Sequence, residues 1–179
     1  MVGLETFKGR PVTLTSALLA TWLATGAATP LGEPELAAVL RDAYHAEAGA
    51  DVPRPLLVAA WAHVALETGR ALGGVEGRPM ITSRGFNLGS VGAVEGPHHY
   101  VAGHRHRTGV DHIDAARAYW RAVLPCSGAV RAMMDGSAAA TAGALAACGY
   151  HRTEVEAYGR ALRALSGTAE RAVAVCEGP

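Results

Sequence analysis

No surplus of either charge marks this chain: its 179 residues carry 16 Lys and Arg against 16 Asp and Glu. Nucleic-acid binding usually asks for a clustered basic surface, so the balance gives no argument for that partner. An anionic polymer stays admissible, because a neutral chain can carry a local positive patch. Arg70, Arg78, Arg84, Arg105 and Arg107 crowd the middle of the sequence. Phe occurs twice and cysteine three times. Cys126, Cys148 and Cys176 form no CxxC pair, which argues against a zinc ribbon or a dithiol redox motif. An odd number leaves at least one free if a disulfide forms, and buried free thiols in a reducing compartment are the expected state. No apolar run reaches the roughly 20 residues of a membrane span. Residues 14–24 come nearest, but Pro11, Thr13, Thr15 and Ser16 interrupt what Lys8 and Arg10 would open as a signal peptide. The chain is therefore expected to be made in the cytoplasm without a signal peptide. It shows no repeat and no low-complexity linker.

What is present is an ordinary globular composition, with hydrophobic residues at 50% and charged residues at 18%. Ala and Gly are heavily used, and small residues let helices pack closely. The pattern predicts a mainly α, single-domain chain over 1–179. Helices are expected over 14–25, 35–48 and 55–68. After a Gly-rich stretch from Arg70 to Gly109 they return over 113–124, 130–134, 137–148, from Thr153 to Leu165, and 168–176. Asp111 reads as an N-cap, and Thr153 with Glu156 as a capping box. The Gly-rich stretch lacks a helical period and reads as loops with one hairpin, in which Asn87–Val91 and His99–Val101 could be small strands. A loop region of about forty residues in a compact domain usually carries function.

Glu67 is the only carboxylate in the 55–68 helix, whose Leu56, Leu57, Ala60, Trp61, Val64 and Ala65 leave few polar positions. A helix apolar on most sides is a buried one. A carboxyl group among apolar side chains is costly to ionise, so it can stay protonated and donate to a glycosidic oxygen. Glu67 also stands at the helix end, where the core meets the loop region.

The words around it extend the argument. Trp61-Ala62-His63-Val64-Ala65-Leu66-Glu67-Thr68-Gly69 resembles the catalytic helix of lysozyme-like cell-wall hydrolases, whose glucosaminidase branch ends that helix in Leu-Glu-[Ser/Thr]-Gly. Phe86-Asn87-Leu88-Gly89-Ser90-Val91 stands where that branch has an Asn-rich phrase. Cys148-Gly149-Tyr150-His151-Arg152-Thr153, followed by Tyr158, stands where it has a Gly-Tyr phrase and a second Tyr. The resemblance covers residues 55–165. It implies an α+β lysozyme-like fold, a helical domain with a small hairpin or loop lobe, in which 1–52 is an N-terminal extension, 53–166 the catalytic core and 167–179 a short C-terminal helix. It implies Glu67 as general acid, Tyr150 near the cleaved sugar, and Asn87 shaping the cleft floor. Phe86, Tyr158 and His63 join Asn87 among the substrate-binding residues; His63, one turn before Glu67, could instead adjust the acid from within the core.

The chain departs from that pattern in having Phe86-Asn87 for a double Asn and no evident second carboxylate. Glu95 is the first candidate, with Glu76, Asp111 and Asp114 behind it. Facing Glu67 across roughly 6.5–9.5 Å, Glu95 could activate water in an inverting reaction. Otherwise the substrate's N-acetyl group or an internal hydroxyl could attack. The expected partner is the peptidoglycan glycan strand, reached in the periplasm or cell wall by non-classical export or release with a delivery or secretion-machine partner. No cofactor is needed. Two other readings stand beside it: a non-catalytic glycan-binding or structural module on the same scaffold, and a zinc amidase using His98, His99, His104, His106 and His112. The second lacks an HExxH or similar spacing.

Overall fold

The computed structural model describes residues 31–68, 88–90, 98–101, 104–107 and 111–178. The helix expected over 14–25 lies outside them. The described residues are mainly helical. Six helices follow in the order α1 (Glu33–Ala48), α2 (Arg54–Glu67), α3 (His112–Val123), α4 (Ser127–Met134), α5 (Ala138–Ala147) and α6 (Val155–Glu177). Between α2 and α3 come a 3-10 turn, Leu88–Ser90, and the strands β1 (His98–Val101) and β2 (His104–Arg107). The strands form an antiparallel hairpin in which His99 pairs with His106 and Val101 with His104. The short segment at Leu88–Ser90 is a turn and not a strand, because Gly89 takes a left-handed φ of 75°.

At the centre lies α2. Pro55 sits in its first turn, where a missing N–H costs nothing. Leu56, Leu57, Ala60, Trp61, Val64 and Ala65 are all buried, against α6, α1, α4 and the 88–90 turn. Burying a Leu or Val side chain fully is worth about 1.5–3 kcal/mol, so this environment outweighs helix propensity.

Tryptophans lock α1 to that centre. Trp61 Nε1 donates to Glu33 O at 2.9 Å, and Trp120 Nε1 on α3 donates to Leu40 O at 2.8 Å. Both buried indoles are satisfied by α1 carbonyls, and α1 also packs on α3 and α6. It is part of the core and not an addition to it. Small residues close the other side: a Cβ on Gly159 of α6 would lie 3.3 Å from Ala139 Cα of α5.

The expected cap of α3 forms, with Asp111 Oδ1 accepting from Asp114 N at 2.7 Å. That capping role is what Asp111, a reserve candidate for the second carboxylate, performs. The α6 region corrects two expectations. Its N-cap is Glu154, whose carboxylate accepts from Glu156 N at 2.8 Å and Ala157 N at 2.7 Å, so the Thr153–Glu156 box does not form. The helix then runs unbroken through Ser166 and Gly167. A helical Gly costs about 1 kcal/mol, less than the burial of Ala169, Ala172 and Val173 beyond it returns.

Cysteine pairing also corrects the sequence. Cys126, just before α4, and Cys148, at the C-cap of α5, form a disulfide across 22 residues. The packed α4–α5 pair brings their Cα atoms to 6.0 Å, within reach of a bridge. Cys176 is the free thiol, and Arg41 Nη1 donates to its Sγ at 3.4 Å. Among the described residues no helix is long and apolar enough to cross a membrane.

Candidate functional site

Glu67 is the last residue of α2. Thr68 is its C-cap: its N–H donates to Val64 O at 2.9 Å and its hydroxyl to the same oxygen at 2.6 Å. Thr68 is thereby satisfied although buried, and Glu67 is left half-buried at the helix edge. The hydroxyl of Tyr158, in the first turn of α6, donates to Glu67 Oε1.

Tyr158 was expected to meet the sugar. It is 5% exposed, and its hydroxyl is engaged with the Glu67 carboxyl. The expectation for His63 is corrected. At 0% exposure it cannot touch a ligand in a cleft. Its Nδ1 lies 3.0 Å from the Tyr119 hydroxyl, and its ring packs against Tyr119, Tyr150 and Tyr158 at centroid distances of 5.5, 4.7 and 6.1 Å. Burial, helped by His151, pushes the His63 imidazole down to about 3. It is neutral near pH 7, a core hub around which three phenols gather.

Tyr150 reaches the site by a helix-ending motif. Gly149, at φ 78°, donates to Ala146 O at 2.9 Å, and Tyr150 N donates to Leu145 O at 2.9 Å. This Schellman pattern needs a residue free to adopt left-handed φ. The Tyr150 hydroxyl then donates to Gly89 O, tying the end of α5 to the 88–90 turn. The turn lies close: a Cβ on Gly89 would stand 2.6 Å from the Tyr119 ring and 2.8 Å from the Tyr150 hydroxyl. Leu88 beside it is fully buried.

All three phenols are held in their protonated form. Burial raises Tyr119, Tyr150 and Tyr158 well above the ordinary tyrosine value, and the nearby Glu67 raises each further. They act as O–H donors throughout the usual pH range.

Four expected residues thus meet in one place: Glu67, His63, Tyr150 and Tyr158. Phe86, Asn87 and Glu95 lie outside the described residues, as does Glu76. Two members of the cluster were not singled out by the sequence. Tyr119 follows the apolar face of α3 and reads there as core. His151 follows Tyr150 in the Gly-Tyr phrase, and that adjacency was the available signal. His151 stacks on Tyr158 with centroids 3.7 Å apart and planes 10° from parallel.

A groove lined by Arg54, Val58, Thr141, Leu162, Ser166 and Glu170 follows the first half of α2. Glu67 does not line it, and neither does any member of the aromatic cluster. Among the described residues no group of three or more His, Cys, Asp or Glu side chains gathers as a metal site. Compared with family models, with curated proteins and with solved structures, the chain finds no match.

Proposed function

We propose that this protein is a lysozyme-like peptidoglycan hydrolase that cleaves the β-1,4 glycan backbone with Glu67 as general acid. The observation that carries the reading is Glu67 at the end of a buried helix, with one carboxyl oxygen held by Tyr158. The hydrogen bond from Tyr158 to Oε1 holds the carboxyl in one direction. A carboxyl already oriented for proton transfer to a leaving oxygen lowers the cost of reaching a near-attack geometry. The sugar left behind develops oxocarbenium character. Tyr150, through Gly89 O, positions the turn that follows Asn87, and Asn87 in turn is assigned to the cleft floor. Water activated by Glu95, the substrate's N-acetyl group, or an internal hydroxyl completes the reaction; the products distinguish them.

The disulfide supports a place of action outside the reducing cytoplasm, since such bonds persist in oxidising compartments. We assign the protein to the periplasm or cell wall, delivered by a release or secretion partner.

The test is digestion of purified peptidoglycan by the wild type and Glu67→Gln, read by mass spectrometry. Soluble muropeptides from the wild type alone are the expected result, and their end groups name the bond and the attacking group. Equal release from both proteins would sink the role of Glu67. No release from either, with both folded, would replace the enzyme by a glycan-binding module.

A further inference from the structure

The loop between α5 and α6 carries a side chain that the proposed reaction has not used. His151 Nε2 lies 3.1 Å from Ala142 O on α5. A carbonyl only accepts, so Nε2 is the donor in this bond. The other ring nitrogen, Nδ1, is buried and finds no hydrogen-bond partner among the described residues. Leaving a buried polar atom unsatisfied is costly. A phenyl ring would stack on Tyr158 without that cost, so the imidazole is not explained by packing alone. What the imidazole adds is a fixed orientation: the bond to Ala142 sets the plane of the ring, and the ring lies flat on Tyr158 at 3.7 Å. Tyr158 is bounded on another side by His63, edge-on at 6.1 Å. Its hydroxyl, so confined, donates to Glu67.

We propose that His151 is a positioning residue for Glu67: anchored to Ala142 O and stacked on Tyr158, it fixes the ring whose hydroxyl orients the carboxyl. The proposal rests on Glu67 being the general acid. It assigns His151 no contact with the sugar, and its influence runs entirely through Tyr158.

Two measurements test it. In the first, kcat and KM for glycan cleavage are compared in wild type, His151→Ala, His151→Gln, Tyr158→Phe and the double variant His151→Ala/Tyr158→Phe. A misdirected acid loses rate and not affinity, so His151→Ala lowers kcat about tenfold and moves KM by less than about twofold. Gln keeps a donor for Ala142 O but lacks the flat ring, so it behaves like Ala; if Ala does not fold, Gln carries the test. In the Tyr158→Phe background the His151 substitution has no further effect, because the route is already cut. Independent, multiplying losses would overturn the proposal, as would a loss confined to KM.

The second measurement needs no activity. In protein carrying ring-labelled tyrosine, the Tyr158 13Cζ resonance is identified by its absence in Tyr158→Phe, and Glu67→Gln gives the position it takes when the hydrogen bond to the carboxylate is weakened. His151→Ala and His151→Gln should move it in the same direction; an unmoved resonance would overturn the proposal. If the wild type proves inactive while the resonance does move, the glycanase reading fails and the coupling of His151 to Glu67 stands.

Discussion

Two glutamates close two neighbouring helices, and their surroundings make them different groups. Glu47 stands in the last turn of α1 and Glu67 ends α2. Both positions are unfavourable for an anion, because the C-terminal end of a helix carries partial negative charge. Glu47 is compensated by guanidinium groups: Arg121 donates to its two oxygens at 2.9 and 2.8 Å, and Arg117 donates as well. Those hydrogen bonds pull its carboxyl down to about 2. Glu67 is held by a phenol that stays protonated, beside a neutral buried imidazole. An anion clamped by two cations is committed to one charge state and ties α1 to α3. Glu67 takes its hydrogen bond from an uncharged O–H donor, which gives the carboxyl a direction. The same place in a helix thus carries two carboxyl groups with different partners, guanidinium groups for Glu47 and a phenol for Glu67.

The sharpest way to break this contrast is to remove each carboxylate in turn. Glu67→Gln should lower glycan release by at least about 1,000-fold, while thermal unfolding by circular dichroism stays close to wild type. Glu47→Gln should leave release unchanged. If Glu47→Gln abolished release and Glu67→Gln did not, the two roles would be exchanged.

Next in size is the bridge behind Tyr150. Cys126→Ser/Cys148→Ser should reduce unfolding free energy in denaturant titrations by about 3 kcal/mol, the loop-entropy value for a loop of this length. Because Cys148 lies two residues before Tyr150, activity of the folded double variant should fall as well; a stability loss with full activity would detach the bridge from the site. Tyr158→Phe should lower kcat about tenfold with little change in KM, since it removes orientation and leaves the acid in place.

Effects of pH separate the regions again. His63 is depressed from 6.5 to about 3, so the unfolded chain takes up a proton that the folded chain refuses. Stability contributed by the neutral ring is full above 6.5 and is lost as pH falls from 6.5 towards 3. Glu47 is depressed from 4.5 to about 2, so its contribution is full above 4.5 and is lost only as pH falls from there towards 2. Glu47→Gln should cost about 1 kcal/mol near neutral pH, the scale of a surface ion-pair network, and the deficit should vanish in strong acid. His63→Phe should instead flatten the part of the stability profile between 6.5 and 4.5. Denaturant titrations across this range check both.

Much of this was legible in the chain itself. The apolar girth of residues 55–68, with one carboxylate at its end, predicts the buried helix and its edge group within one residue. The Asp111 cap is equally local, since it joins a side chain to a backbone group three residues on. Local rules misread Gly167, which looked like a break, and Thr153, which looked like a cap. In both places a longer-range packing term or a neighbouring carboxylate outbid the local one.

The sequence by itself determined most of the helices, the Asp111 cap and the carboxyl at the end of α2, because these depend on residues a few positions apart. Tertiary structure alone decided which cysteines pair, that His63 is walled in, and that Tyr119 and His151 join the site. The hydrogen bond from Tyr158 to Glu67 spans 91 residues, and no periodicity records a contact made only when α2 and α6 pack.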